Sequence, residues 1–184
     1  MVLENLEQAA EELEKQELQA QGGVASPDVF AKLLAIYLLQ NDLCNAKLLW
    51  KRIPQSVKAQ NLEIGKIWTV GKAMWLRDSP GVFSALSSTQ WSDEIAPIMA
   101  ALVDKVRERC LGLVSQAYTS VTLETLSKLL GVNPSEAAAV AQKNGWNVED
   151  KLVYPVKPVP QPKILTSTEQ QLHILTNFVS FLEN

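Results

Sequence analysis

Histidine and cysteine could give this chain acid–base, nucleophilic or metal chemistry, but the sequence holds few of them. The only histidine, His173, lies between two apolar residues, and the two cysteines, Cys44 and Cys110, are far apart. A catalytic histidine needs a positioned partner, and a zinc site of His and Cys ligands needs three or four of them. We therefore expect no catalytic residue, no metal site and no bound cofactor.

One glycine-containing segment resembles a phosphate-binding loop. Gly65 to Ala73 reads GKIWTVGKA. It has one residue too many between the glycines, an alanine where a hydroxyl should bind magnesium, and bulky side chains where the backbone should cradle phosphate. The acidic pairs Asp93-Glu94 and Glu149-Asp150 are equally explained by a helix start and a turn tip. We expect neither nucleotide binding nor carboxylate catalysis.

The most uneven charge lies between Lys47 and Arg77, where seven basic residues accompany one acid, Glu63. Such a stretch is most simply a set of solvated helix faces. The functional alternative is a surface for an acidic partner. The sequence leaves both interpretations open.

Apolar residues recur at helical spacing through the first half of the chain, and caps and prolines divide it into segments. Gly22-Gly23 ends the first helix, Ser26-Pro27 starts the second, and Pro54 ends the third. Helices are predicted over 2–21, 27–40, 43–53 and 57–76, with a short one from Ser79. Their unequal lengths favour an irregular, tetratricopeptide-like solenoid over residues 1–91.

Residues 92–156 have the element order of a winged helix. A long helix begins at Ser92-Asp93-Glu94, a short one covers Thr122 to Leu130, and a capping box at Asn133 opens a third that ends near Asn144. Segments 146–148 and 152–154 then predict a short β-hairpin. The predicted fold is all-α with a small β wing.

Two surfaces are predicted to bind partners. After a proline-rich linker, residues 157–166, a final amphipathic helix covers 167–184, and its apolar residues form one continuous seam. That seam must be buried somewhere. The seam consists of Leu172, Leu175, Phe178, Val179 and Leu182, and the predicted wing contacts are Trp146, Val148 and Val153.

Composition limits the remaining classes. The net charge is −3, and six acids against one lysine in residues 1–20 leave the rest at 16 basic against 14 acidic residues, which argues against nucleic-acid binding through overall charge. The first residues lack the basic region of a secretory signal peptide, and the longest apolar run is well short of the roughly 18 residues that span a bilayer.

Both cysteines have apolar neighbours and are predicted to be buried thiols in a reducing compartment. We therefore expect the protein in the cytoplasm and nucleus.

Three stretches resemble PCI-domain proteins, the family named for the proteasome lid, the signalosome and translation initiation factor three. They are LLAIYLLQNDLCNAKLLWKRIP (33–54), IAPIMAALVDKVRERCLGLVSQAYTSVTLETLSKLLGV (95–132) and TNFVSFLEN (176–184). Within the family the resemblance is to the signalosome. It implies a scaffold subunit of the complex that removes a ubiquitin-like modifier from cullins and so regulates ubiquitin ligases. It also implies partners among other PCI subunits, with C-terminal helices gathered in one bundle.

Two alternatives stay open. A small PCI subunit of the proteasome lid or of initiation factor three has the same plan. A winged-helix nucleic-acid binder has the same fold, but its recognition helix would be Pro134 to Asn144, which holds one lysine and no arginine. We expect no nucleic acid, membrane or small-molecule substrate as a partner.

Overall fold

The computed structural model describes residues 2–20, 24–157 and 168–183, with side chains from residue 8 and, in the last helix, from residue 171. The elements there are α1 (Val2–Gln19), α2 (Pro27–Gln40), α3 (Leu43–Arg52), α4 (Gln55–Gln60), α5 (Leu62–Trp75), α6 (Ser79–Ser87), α7 (Ala96–Ala117), β1 (Val121–Thr122), α8 (Leu123–Leu130), α9 (Pro134–Lys143), β2 (Asn147–Glu149), β3 (Leu152–Tyr154) and α10 (Thr168–Glu183). This confirms a mostly helical fold with a small sheet. The predicted glycine stop and most of the proline linker lie outside the described residues.

Helix α2 is the centre of the first half, and its ends are those the sequence predicts. Pro27 follows the N-cap Ser26, and the helix closes at Asn41, whose φ of 64° gives the left-handed turn. Neighbouring helices cover it on most sides, since α1, α3, α5 and α7 all pack on it. Gly71 of α5 allows one close approach, because a Cβ there would lie 3.0 Å from a methyl group of Leu38.

The predicted helix over 57–76 is two helices. Asn61 separates α4 from α5, and its side-chain oxygen accepts a hydrogen bond from the Glu63 amide at 2.9 Å. Asparagine competes with the helical backbone in this way and so favours an N-cap over a helix interior. The spacing of the apolar residues in this segment predicts a buried stripe that includes Trp75. In the structure Val70 and Met74 are buried, and Trp75 is 43% exposed.

Polar contacts anchor α1 onto the bundle. The Tyr37 hydroxyl donates to Glu14 Oε1 at 2.6 Å, and the Arg52 guanidinium donates twice to the Glu17 carboxylate at 2.7 Å. The hydrogen bond to Glu17 raises the pKa of Arg52 above its usual value. The described side chains of α1 make few apolar contacts: Ala10 is buried, and Leu13 is half-buried against α2 and its neighbours. The acidic helix is therefore held by its charges as well as by its apolar stripe.

Helix α7 belongs to two hydrophobic clusters. Met99, Leu102 and Val106 pack in the first cluster with α2 to α6, whereas Val114 packs in the second with α8, α9 and the sheet. Its start differs from the prediction, because Ile95 is the N-cap and the helix has no side-chain cap. The domain boundary at residues 91 and 92 stays a prediction.

The second cluster is organised around a three-stranded antiparallel sheet in the order β1-β3-β2. The predicted hairpin is present, with Val148 opposite Val153. Asp150 and Lys151 form its two-residue turn with φ values of 43° and 70°, which matches the twist of the strands. The third strand, β1, was not predicted from the sequence, and its Val121 pairs with Val153.

Both short helices of this half begin at a side-chain cap, of which the sequence predicted the capping box of α9. Thr122 caps α8 by accepting from the Thr125 amide at 3.2 Å, and Asn133 and Glu136 form the capping box of α9. None of the helices in the described residues is long and apolar enough to cross a membrane.

Candidate partner-binding surfaces

The seam of α10 is exposed along its length. Every side chain described in this helix, residues 171–183, is solvent-exposed. The predicted seam residues have exposed fractions of 58% for Leu172, 60% for Leu175, 63% for Phe178, 51% for Val179 and 78% for Leu182. An apolar stripe of this size is the kind of surface that a partner helix covers.

The wing brings its predicted residues together but turns two of them inward. Trp146 is 6% exposed and Val153 is fully buried, both in the second hydrophobic cluster with Val121 and Leu126. Val148 lies opposite Val153 and is half-buried. In this conformation the side chains of Trp146 and Val153 hold the chain's own fold, and Val148 alone of the three is partly accessible.

The outer face of the wing carries other residues. Tyr154 is 39% exposed and lies opposite the exposed Asn147, while Glu149 lies opposite the half-buried Leu152. Successive side chains on a strand alternate between faces, so burial of Val153 sends Tyr154 outward. That alternation is readable in the sequence and could have identified Tyr154.

The two places considered above for chemistry, the glycine-containing segment and His173, both lie within regular helices. Gly65 to Ala73 is an uninterrupted part of α5, so its backbone amides are used within the helix. His173 is exposed on α10, with Asn177 Nδ2 at 3.3 Å from its Nε2. Among the described residues, no group of three or more His, Cys, Asp or Glu side chains could hold a metal ion.

Both cysteines line one groove, and one of them is not buried as predicted. Cys44 is exposed and Cys110 half-buried, so the prediction of a buried thiol is wrong for Cys44, which lies on the solvent side of α3. The groove, of about 800 Å³, runs between α3, α6 and α7 and includes the exposed Leu113 and Tyr118. Its acids, Asp42 and Asp78, cap α3 and α6.

Helix α9 is the helix that the sequence predicts as a recognition helix. Ala137 and Ala141 face the second cluster, and Lys143 is the one basic residue of the helix. Glu136 and Gln142 are exposed on the same helix. Phosphate contacts come mainly from lysine and arginine side chains, of which α9 has one.

The described part of the chain is a helical array that continues through one long shared helix into two short helices and a three-stranded sheet. Residues 24–164 match the model of the CSN8/PSMD8/EIF3K family, and the chain belongs to that family.

Three relatives of the chain share one name. The chain is similar to COP9 signalosome complex subunit 8 of Danio rerio, with 46% identity over 94% of this chain and 92% of the relative. It is 47% identical to the protein of that name from Xenopus laevis, over 95% of this chain and 90% of the relative. The Drosophila melanogaster protein of that name is 31% identical over 100% of this chain and 96% of its own length.

Proposed function

We propose that this chain is a non-catalytic subunit of the COP9 signalosome that contributes to the assembly and stability of the complex. The observation that carries the proposal is the 46% identity to a signalosome subunit over 94% of the chain. The complex removes a ubiquitin-like modifier from cullins, as the resemblance implies. That reaction uses a zinc site, which one histidine and two cysteines cannot supply, so another subunit provides it.

The seam of α10 is the first proposed interface. Burial of one large apolar side chain contributes roughly 1.5–3 kcal/mol before ordering costs, and the five seam residues lie on one stripe. Because the described side chains of this helix are exposed, that stabilisation is still available to a partner. A bundle of C-terminal helices from neighbouring subunits would bury the whole stripe at once.

The wing is the second proposed interface. β2 is an edge strand, since it pairs with β3 alone in the sheet, and an unpaired edge can accept a strand from another chain. Val148 and the outward Tyr154 would contact the neighbouring winged helix, whereas Trp146 and Val153 support the strand from inside. We place the chain in the cytoplasm and nucleus, reducing compartments that suit its two free cysteines.

The test is co-expression of the tagged chain with the other signalosome subunits, followed by affinity purification and mass spectrometry of the bound chains. The seam variant carries Leu175→Glu and Val179→Glu. A matched control carries His173→Glu and Asn177→Glu, which place the same i, i+4 glutamates on the polar side of α10. We expect the seam variant to lower recovery of the complex at least about tenfold, the ratio that roughly 1.4 kcal/mol produces, and the control to leave recovery nearly unchanged.

The wing is tested in the same assay with Val148→Glu and Tyr154→Glu, checked by circular dichroism for native helix content. Lower recovery of folded Tyr154→Glu supports the wing contact, and unchanged recovery of both variants places the contact elsewhere. Equal recovery of the two α10 variants would remove the seam from the proposal. Co-purification of proteasome-lid or initiation-factor subunits in place of signalosome subunits would show that the assembly itself is wrong.

A further inference from the structure

The basic stretch of the sequence folds into an ordered surface of aromatic rings and lysines. Trp50 of α3 and Trp68 of α5 stack with ring centroids 5.3 Å apart and planes 8° apart. The Lys58 ammonium lies 4.4 Å from the centre of the Trp50 ring, and the Lys47 ammonium lies 3.9 Å from the centre of the Trp75 ring. We call this surface the tryptophan–lysine face.

Two further lysines lie on the same face. Lys51 is four residues after Lys47 on α3, and Lys72 is four residues after Trp68 and three before Trp75 on α5, so helical spacing places each on the side of its helix that carries the face. Both are exposed. The face therefore presents four ammonium groups around three tryptophans.

Among the described residues, no acid forms an ion pair with Lys47, Lys51, Lys58 or Lys72. The acid of the stretch, Glu63, accepts a hydrogen bond from the Ser92 amide at 2.8 Å. In the acidic helix α1, Glu14 accepts a hydrogen bond from Tyr37 and Glu17 pairs with Arg52.

We infer that the tryptophan–lysine face docks an acidic segment of a protein partner. Stacking over the rings holds Lys47 and Lys58 in place, so less side-chain entropy is lost when carboxylates bind them. The exposed part of Trp75 gives an apolar side chain of the segment a place to pack. The expected occupant therefore carries several Asp or Glu residues interrupted by a large apolar residue.

The same face suits a nucleic acid less well. Bases bind single-strand sites by stacking on open aromatic faces, but each of these rings already has an intramolecular partner, a lysine or another tryptophan. Arginine is the preferred residue for bidentate phosphate contacts, but of the two arginines in the basic stretch Arg52 is paired with Glu17 and Arg77 lies past the C-terminal end of α5. Charge and geometry together favour carboxylates on a protein segment.

The test uses the full chain and a fluorescein-labelled peptide of about sixteen residues, Glu and Asp with a leucine at every fourth position. A second peptide has Gln and Asn in place of the acids, and a single-stranded DNA of similar length is the third probe. Binding is measured by fluorescence anisotropy at low and at physiological salt. We expect the acidic peptide to bind at least about tenfold more tightly than its amide counterpart, with salt weakening the difference.

Charge reversals locate the site. Lys51→Glu with Lys72→Glu should weaken binding of the acidic peptide at least about tenfold, because it removes two exposed ammonium groups. The matched control, Lys66→Glu with Lys143→Glu, makes the same change of charge off the face, since Lys66 lies about a third of a turn from Lys72 on α5. We expect the control to change binding less than about threefold.

Three outcomes would overturn the inference. Equal binding of the acidic and amide peptides would show that charge plays no part. An equal loss in both double variants would show attraction to the whole molecule and not to this face. DNA binding tighter than that of the acidic peptide and lost with Lys51→Glu and Lys72→Glu would assign the face to a nucleic acid.

Discussion

Tyr37 shows how a single polar group can fix one helix to another. Its ring is buried in α2, yet its hydroxyl reaches Glu14 of α1. Burial first, and then the hydrogen bond to Glu14, raise the pKa of Tyr37 above its ordinary value near 10. A raised pKa in the folded state means that the neutral phenol supports folding at neutral pH, and that this support falls as pH rises above the unfolded pKa.

Tyr37→Phe should lower the free energy of unfolding by about 1 kcal/mol at pH 7, because a hydrogen bond to a carboxylate is lost. The difference from the unchanged chain should narrow above about pH 10, where ionisation of the unfolded tyrosine weakens the parent but not the variant. Urea unfolding at pH 7, 9 and 11 measures both. Tyr118→Phe, at an exposed position, is the control and should change little. A gap that stays constant across this range would contradict the proposed role of the hydroxyl.

The burial and contacts of single residues could be predicted from the sequence only in part. Cys44 is predicted to be buried but lies on the solvent side of α3, and Trp75, which the apolar spacing places in the buried stripe of α5, is 43% exposed. Periodicity shows which side of a helix is apolar, and neighbouring helices decide how far burial extends around it. The stacking of Trp50 on Trp68 joins two helices and has no signal in either segment alone.

At the scale of helices and strands, capping residues allowed the starts of helices to be predicted from the sequence. The proline at the start of α2 and the capping box of α9 placed both helices correctly. The predictions failed where an element is short or depends on a distant partner. β1 has only two residues and exists because it pairs with β3, some thirty residues later, and Asn61 divides one apolar pattern into two helices.

Gly131 connects a helix end to the packing of its neighbour. It closes α8 with a φ of 61°, and a Cβ at this position would clash with the ring of Phe83 on α6. Gly145 has a similar φ of 73° but nothing within 4 Å of the same added atom. An alanine at Gly145 therefore tests backbone strain alone, whereas an alanine at Gly131 tests backbone strain together with steric overlap.

Gly145→Ala should cost about 1 kcal/mol of stability, the penalty for an alanine in the left-handed region. Gly131→Ala should cost at least about 2 kcal/mol more, because Phe83 and the Arg107 side chain beside its ring must also shift. Chemical unfolding of both variants measures the difference. Equal losses would show that Phe83 relaxes freely.

At the scale of the whole molecule, the chain divides its apolar residues between its own core and a surface left for others. Two clusters meet along α7 and account for the buried residues of α1 to α9 and the sheet, whereas the seam of α10 contributes to neither. The sequence could predict the seam because its steps of three, four and three are periodic. It could not decide whether the seam folds back onto the chain, since fold-back depends on whether the other helices leave a matching groove.

Deletion of residues 167–184 should change the melting temperature of the isolated chain by less than about 2 °C. The reason is that no described side chain of α10 is buried, so its removal exposes little apolar surface of the remaining protein. Ala10→Glu is the control, because it places a charge at a position that is 5% exposed and should lower the melting temperature by several degrees. In the co-purification assay the deletion should have the larger effect of the two changes and should abolish recovery of the complex. A fall in melting temperature of more than about 5 °C on deletion would show that α10 belongs to this chain's own core, and the seam would then be unavailable to the bundle.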